Sequence, residues 1–166
     1  LMPGAKLRMV SAADLLSQIG SDTAVVMLTH TDFRTGEIRN MEAVTAEAHR
    51  HGALVLWDLS HSTGVMPIHL DEYEVDMAVG CTYKYLNGGP GSPAYLYLAK
   101  SLQNRVAQPL TGWMGHRQPF AFQQQYEAAN GMQRYLSGTP AILSLVALDC
   151  ALDVFKDVDL GAVRKK

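Results

Sequence analysis

TAVVMLTHTDFRTGEIRNMEAVTAEAHRHGALVLWDL, residues 23–59, decides the fold class. Its first part, residues 23–31, is a nearly continuous apolar run ending in polar residues, which predicts a strand buried on both faces. Asn40 then caps a helix over residues 41–51, with Met41, Val44 and Ala48 on one face and Gly52 as its stop. Residues 53–59, ALVLWDL, form the next strand. Strand, helix and strand at this spacing make a right-handed crossover between parallel neighbours.

Outward from that unit, residues 75–82 (VDMAVGCT) predict a third strand and residues 94–98 (AYLYL) a fourth, after a Gly/Pro-rich turn. The last two are separated only by residues 83–93, with the hairpin-type pair Asn87-Gly88, so they run antiparallel and the sheet is mixed. Upstream, SAADLLSQIG (11–20) predicts a short helix with Ser11 as N-cap and Gly20 as its stop. Downstream, residues 108–138 predict a long ordered loop. Thr139 as N-cap, with Pro140 at the first helical position, opens a helix to about Phe155 that is apolar on most sides and is therefore expected to be buried. The class is α/β, a mostly parallel mixed sheet with flanking helices, without repeats, low-complexity tracts or a second domain boundary.

The 166 residues, 48% apolar and 18% charged, suffice for one globular core and exclude disordered, collagen-like and membrane classes. No run approaches the roughly 18–20 apolar residues of a membrane span, and no charged-then-apolar leader opens the chain. A cytoplasmic location is expected. Fourteen basic against sixteen acidic side chains, without long runs of one sign, argue against a nucleic-acid partner. Cys81, in a strand, and Cys150, expected in a buried helix, are read as reduced. The chain opens at Leu1 with Met2-Pro3-Gly4 and closes at Arg164-Lys165-Lys166, so a fragment of a longer protein is expected.

Open α/β sheets bind ligands beyond the carboxyl ends of their strands. There stand Thr29 and His30 after the first strand, Asp58 and His61 after the second, and Tyr83 and Lys84 after the third. A buried strand-end carboxylate needs a cation or strong donor beside it, and a protonated pyridine nitrogen is one. Pyridoxal phosphate requires such a carboxylate to act as an electron sink, and a lysine amine to hold its aldehyde. Asp58 and Lys84 fit the two roles. Singly, Asp58 reads as a capping carboxylate and Lys84 as a solvated lysine; their joint placement favours the cofactor. Tyr83 alone reads as a core aromatic, Trp113 as a loop anchor and Thr139 as a plain N-cap. No metal site is expected, because His49 and His51 face different ways on a helix and no ligand spacing occurs. Gly88, Gly89 and Gly91 lack phosphate-loop spacing and more simply permit tight backbone passage. His69 reads as a surface residue and His116 as a loop residue.

The stretches WDLSHSTG (57–64), GCTYKYLNGGPGSPAYLYL (80–98), QPLTGWMGH (108–116), PFAF (119–122) and RYLSGTPAILSL (134–145) resemble, in order and spacing, those of the kynureninase family. The resemblance runs over nearly the whole chain. It implies an aspartate-aminotransferase-like fold of type I, with residues 1–166 forming the central to C-terminal part of the pyridoxal-phosphate-binding large domain. The N-terminal part and the small C-terminal domain, with the substrate-carboxylate arginine, would lie outside. It further implies hydrolytic cleavage of L-kynurenine or 3-hydroxykynurenine to anthranilate or 3-hydroxyanthranilate and L-alanine, in tryptophan catabolism and NAD biosynthesis. Carried over, Lys84 holds the cofactor, Asp58 its pyridine nitrogen, and His61 lies beside the ring. Tyr83 contacts the phosphate and moves a proton, and Thr29 is a further cofactor contact. Trp113 and Thr139 reach the phosphate from the neighbouring subunit, making a homodimer with shared sites. Ser60, Thr63 and Ser92 depart from the commoner family pattern without removing an assigned group. The alternatives are another enzyme of the fold, a cysteine desulfurase or class-V aminotransferase, and a non-catalytic fragment. A desulfurase needs a reactive cysteine on a mobile loop, which neither Cys81 nor Cys150 matches.

Overall fold

The computed structural model describes residues 4–166; Leu1, Met2 and Pro3, on which the expectation of a fragment partly rests, lie outside the described residues. Four strands form one sheet in chain order: β1 (Val25–Thr29), β2 (Leu54–Asp58), β3 (Met77–Cys81) and β4 (Ala94–Leu98). β1 pairs parallel to β2 with Thr29 opposite Asp58, and β2 parallel to β3 with Asp58 opposite Val79. β4 returns antiparallel, with Tyr95 opposite Gly80. The mixed sheet expected from residues 83–93 is what forms.

Helix α1 (Met41–Arg50) covers one face of this sheet. Asn40 accepts the Ala43 N–H on its side chain at 3.0 Å, and Gly52 ends the element at φ +76°. Met41, Val44, Thr45 and Ala48 pack with Val55, Trp57 and Ala78 into the core. Trp57 is 0% exposed and donates its indole N–H to Thr45 Oγ1 at 3.2 Å, so its one polar atom is satisfied. At the opposite end of the sheet from the strand-end rim, Asp76 Oδ2 accepts the Val55 N–H at 2.9 Å and lies 2.8 Å from His49 Nε2.

Four expectations change. Residues 11–20 form only a 3-10 turn, Leu16–Gln18, although Ser11 Oγ accepts the Asp14 N–H at 3.2 Å as a cap should. Of this stretch only Ile19 and, in part, Leu15 pack against the core, so little tertiary burial supports an α-helix there. β1 is an edge strand with one covered face, so Val26 is buried while Val25 and Met27 are exposed, Met27 by 74%. Helix α2 (Ile142–Leu152) begins after Ala141, whose ψ of 79° is not helical. Pro140 therefore precedes the helix, and the exposed Thr139 does not cap it. Finally, α2 is not buried: Ile142, Leu143 and Val146 are exposed, Leu143 by 87%, and so is Cys150. All-round apolarity says that a helix needs covering, and nothing among the described residues covers these faces.

The 108–138 loop is ordered by 3-10 turns at Trp113–Gly115, Pro119–Ala121 and Gly131–Tyr135. Buried His116 ties them together. Its Nδ1 accepts the Gln118 N–H at 2.8 Å, which leaves Nε2 to donate to Gln125 O at 3.3 Å. A last helix, α3 (Leu160–Arg164), is capped by Asp159.

Candidate active site

The carboxyl ends of β1, β2 and β3 share one rim. The His30 N–H donates to Asp58 O at 2.9 Å, extending the β1–β2 ladder past Thr29. Beyond β2 the chain folds back at once: Ser62 and Thr63 N–H donate to Leu59 O at 2.9 and 3.0 Å, and Ser60 N–H to Asp58 Oδ1 at 2.8 Å. Asp58 thus anchors its own turn with one oxygen, while Oδ2 makes no hydrogen bond among the described residues. The turn carries His61 outward. It can lie close to the next loop because Gly64, at φ +92°, has no side chain; a Cβ there would stand 2.7 Å from Tyr85 O.

The 83–93 loop after β3 is closed by Gly88 N–H to Thr82 O at 3.0 Å and Asn87 N–H to Lys84 O at 3.1 Å. The Thr82 and Ser92 hydroxyls meet at 2.6 Å across its base. Lys84 leaves this loop toward His61, Nζ to Nε2 at 3.0 Å, and its ammonium lies 5.4 Å from the Tyr83 ring centroid. His61 stacks on Phe33 at 5.8 Å and 28° and meets Tyr85 edge-on at 6.4 Å. Phe33 sits in a turn clamped by charge: Asp32 holds the Arg34 side chain at 3.0 Å and its backbone N–H at 2.8 Å. Those bonds from Arg34 keep the Asp32 carboxyl well below the usual carboxylate range, at about 2.

Of the residues expected from sequence, Asp58, His61, Tyr83 and Lys84 come together at this rim, and Thr29 stands at the end of the neighbouring strand. There Thr29 Oγ1 donates to Thr31 O at 2.9 Å, and Thr31 meets the Ser62 hydroxyl at 2.8 Å. His30 turns inward instead, edge-on to Trp57 at 5.8 Å; burial lowers its pKa, and its Nδ1 has no hydrogen-bond partner among the described residues. Trp113 and Thr139 are not joined to the cluster by any hydrogen bond or ring contact among the described residues. Trp113 is half-exposed against Phe120 at 5.6 Å, and Thr139 is exposed ahead of α2. Sequence reasoning missed Phe33, Tyr85 and Tyr95. The available signal for Phe33 was a lone aromatic among the charges of DFRTGE; Tyr95 reads only as a strand residue. No group of three or more His, Cys, Asp or Glu that could hold a metal ion occurs among the described residues.

A free carboxylate oxygen, an imidazole and an amine at adjacent strand ends suit a pyridoxal ring with its ring nitrogen at Asp58 and its aldehyde at Lys84. The sheet and helices have the architecture of the large domain of fold-type-I pyridoxal-phosphate enzymes. The apo cysteine desulfurase from Thermococcus onnurineus superposes at a TM-score of 0.75 with 21% identity, over 92% of this chain and 37% of that one. A cysteine desulfurase from Escherichia coli gives 0.73 with 20% identity, over 89% and 36%. These likenesses concern the fold. The chain belongs to the aminotransferase class-V family, which matches residues 2–166. Family and fold are characteristically dependent on pyridoxal phosphate. Among curated proteins, the kynureninase of Pseudomonas fluorescens is 49% identical over 167 residues, 100% of this chain and 40% of its own length. The kynureninase of Burkholderia pseudomallei is 48% identical over 162 residues, 97% of this chain and 39% of its own. The chain therefore spans about two fifths of the relatives it matches. No described helix is long and apolar enough to cross a membrane.

Proposed function

We propose that this chain is the lysine-bearing part of a kynureninase, a hydrolase that uses pyridoxal phosphate to cleave L-kynurenine or 3-hydroxykynurenine into anthranilate or 3-hydroxyanthranilate and L-alanine. The observation that carries the reading is the Lys84–His61 contact of 3.0 Å beside the free oxygen of Asp58, within a sequence 49% identical to a kynureninase. When bound, the cofactor supplies an electron sink for the carbanion left by loss of the α-proton. Lys84 would hold the cofactor, and its amine would be the base for that proton. Asp58 Oδ2 would pair with the ring nitrogen and keep it protonated, while Oδ1 stays committed to Ser60. His61, held between Phe33 and Tyr85, orients the Lys84 amine. Tyr83, whose ring is exposed next to Lys84, would bind the phosphate and supply the proton-transfer hydroxyl for the departing fragment. Thr29 adds a cofactor contact at the next strand end.

Residues 1–166 would form the central to C-terminal part of the large domain of a cytoplasmic homodimer. Trp113 and Thr139 would serve the phosphate site of the neighbouring subunit, which accords with their separation from Lys84 within one chain. The test is to load the intact protein with pyridoxal phosphate, reduce with borohydride and map the labelled peptide, then follow anthranilate release from kynurenine by fluorescence. Label on Lys84 with anthranilate formed is the expected result. Label on Lys6, Lys100 or Lys156 would sink the site assignment. Label on Lys84 without kynurenine cleavage would retain the cofactor and reject the substrate.

A further inference from the structure

We infer that Tyr95 is a positioning residue for the Lys84–His61–Asp58 site, acting through Thr63; this rests on reading that site as the pyridoxal-phosphate site. Tyr95 is on β4, two strands from Asp58, and faces Gly80 of β3 in register. Its phenol lies directly over Gly80, where an added Cβ would collide with the hydroxyl and the ring carbons. Only glycine at position 80 lets the ring lie flat across β3. From there the Tyr95 hydroxyl reaches the 59–64 turn and pairs with Thr63 Oγ1. Tyr95 packs against the hydrophobic core that α1 shares, so the latch is anchored in the core. Burial raises the phenol's pKa from its ordinary value, which favours the neutral hydroxyl that the latch uses.

What the latch fixes is the orientation of the turn. Ser60 N–H ties one end to Asp58 Oδ1, and Gly64 lies against Tyr85 O of the Lys84 loop at the other. Thr63 stands between, bonded through its backbone only to Leu59 within the same turn. Besides this contact to β4, the turn is held near His61 by the Ser62–Thr31 hydroxyl pair at 2.8 Å, by Cys81 Sγ against Ser60 O, by Lys84 and by the stacked rings. The Tyr95 contact is what ties it to the far strand of the sheet. A rotation of the turn of a fraction of an ångström would move His61 Nε2 off Lys84 Nζ. Thr63 is one of the departures from the commoner family pattern, and its hydroxyl finds its partner 32 residues away on β4.

The experiment uses the intact protein loaded with pyridoxal phosphate. Tyr95→Phe and Thr63→Val each remove one hydroxyl at nearly constant shape, and Thr63→Ser retains one. Three quantities are read: the pH titration of the bound cofactor's absorbance, the kcat and KM for kynurenine, and amide exchange over residues 60–64. Both hydroxyl deletions should shift the titration midpoint in the same direction, speed exchange in the turn, and lower kcat on the order of tenfold with KM little changed. The double variant should be no worse than either single one, and Thr63→Ser should recover most of the loss. Cofactor titration and kcat at wild-type values, even with lowered thermal stability, would overturn the inference and leave a merely structural hydrogen bond. Additive effects of the two deletions would overturn it too. Wild-type protein that fails to hold cofactor at Lys84 would overturn the proposed function along with it, whereas silent variants in a labelled wild type would remove the latch alone.

Discussion

Gly64→Ala is the substitution that most directly tests how the His61 turn is seated on the Lys84 loop. Two costs apply. The residue has φ +92°, where an L side chain meets its own backbone, at a cost of about 1–2 kcal/mol. The new Cβ would also stand 2.7 Å from Tyr85 O, 2.9 Å from Tyr85 C and 3.1 Å from Leu86 Cδ2, and backbone on both sides must yield, at a cost of about 1–3 kcal/mol. Gly52→Ala separates the two, because Gly52 has φ +76° with nothing within 4 Å of a Cβ and bears only the first cost. Gly64→Ala should therefore cost about 2–5 kcal/mol and Gly52→Ala about 1–2 kcal/mol, against a net stability of about 5–15 kcal/mol for a typical domain. Urea unfolding at constant m reads both as shifts in midpoint. Borohydride labelling of Lys84 should fall in Gly64→Ala and not in Gly52→Ala, since only the first pushes His61 and Lys84 apart. Equal losses of stability for the two variants, with labelling intact in both, would refute the close approach.

Three further outcomes are expected. Asp32, held at about 2 chiefly by the Arg34 side chain, contributes stability above its ordinary value of 3.8 that is lost as pH falls through about 2; carbon NMR of its carboxyl should titrate near 2 and move upward in Arg34→Ala, and a midpoint near 4 in the parent would refute the clamp. Tyr97 is raised to about 12, first by burial and then by donating to Asp71 Oδ1 at 2.7 Å, so its contribution is complete below pH 10 and lost as pH rises through about 12. Ultraviolet phenolate titration should show a tyrosine ionising at about 12 that ionises earlier in Asp71→Asn. To test the proposed sharing of sites between subunits, mixing inactive Lys84→Ala subunits with inactive Trp113→Ala/Thr139→Ala subunits should restore activity in verified heterodimers; none restored would place the whole site within one chain.

The strands, the Asn40 cap and the antiparallel return of β4 were legible because each rests on local chemistry: an apolar run, a side chain that reaches Ala43 N–H, a connection too short for a crossover. The strand-end cluster was legible for the same reason, since parallel strands bring their carboxyl ends to one rim whatever else surrounds them. What failed depends on covering layers. The pattern in β1 and α2 marks faces that need burial, but Met27 and Leu143 stay largely exposed among the described residues. Thr139-Pro140 has the composition of a helix start, yet Ala141 is not helical, and a backbone angle of that kind leaves no mark on residue type. Tyr95 was invisible as a site residue because its role depends on the missing side chain of Gly80 across the sheet.

The order β1-β2-β3-β4 has a bearing on how the sheet is made. Among these four strands chain order and spatial order coincide, so each one after β1 adds beside the strand made before it, and none of the four is threaded between two others. At about 5–20 residues per second, synthesis of residues 30–53 takes roughly 1–5 s, far longer than a hairpin or helix needs to form. β1 and α1 are thus waiting when β2 arrives. β4, the latest of the four, brings Tyr95 over Gly80, so the contact from Tyr95 to the 59–64 turn forms only once β4 has docked on β3.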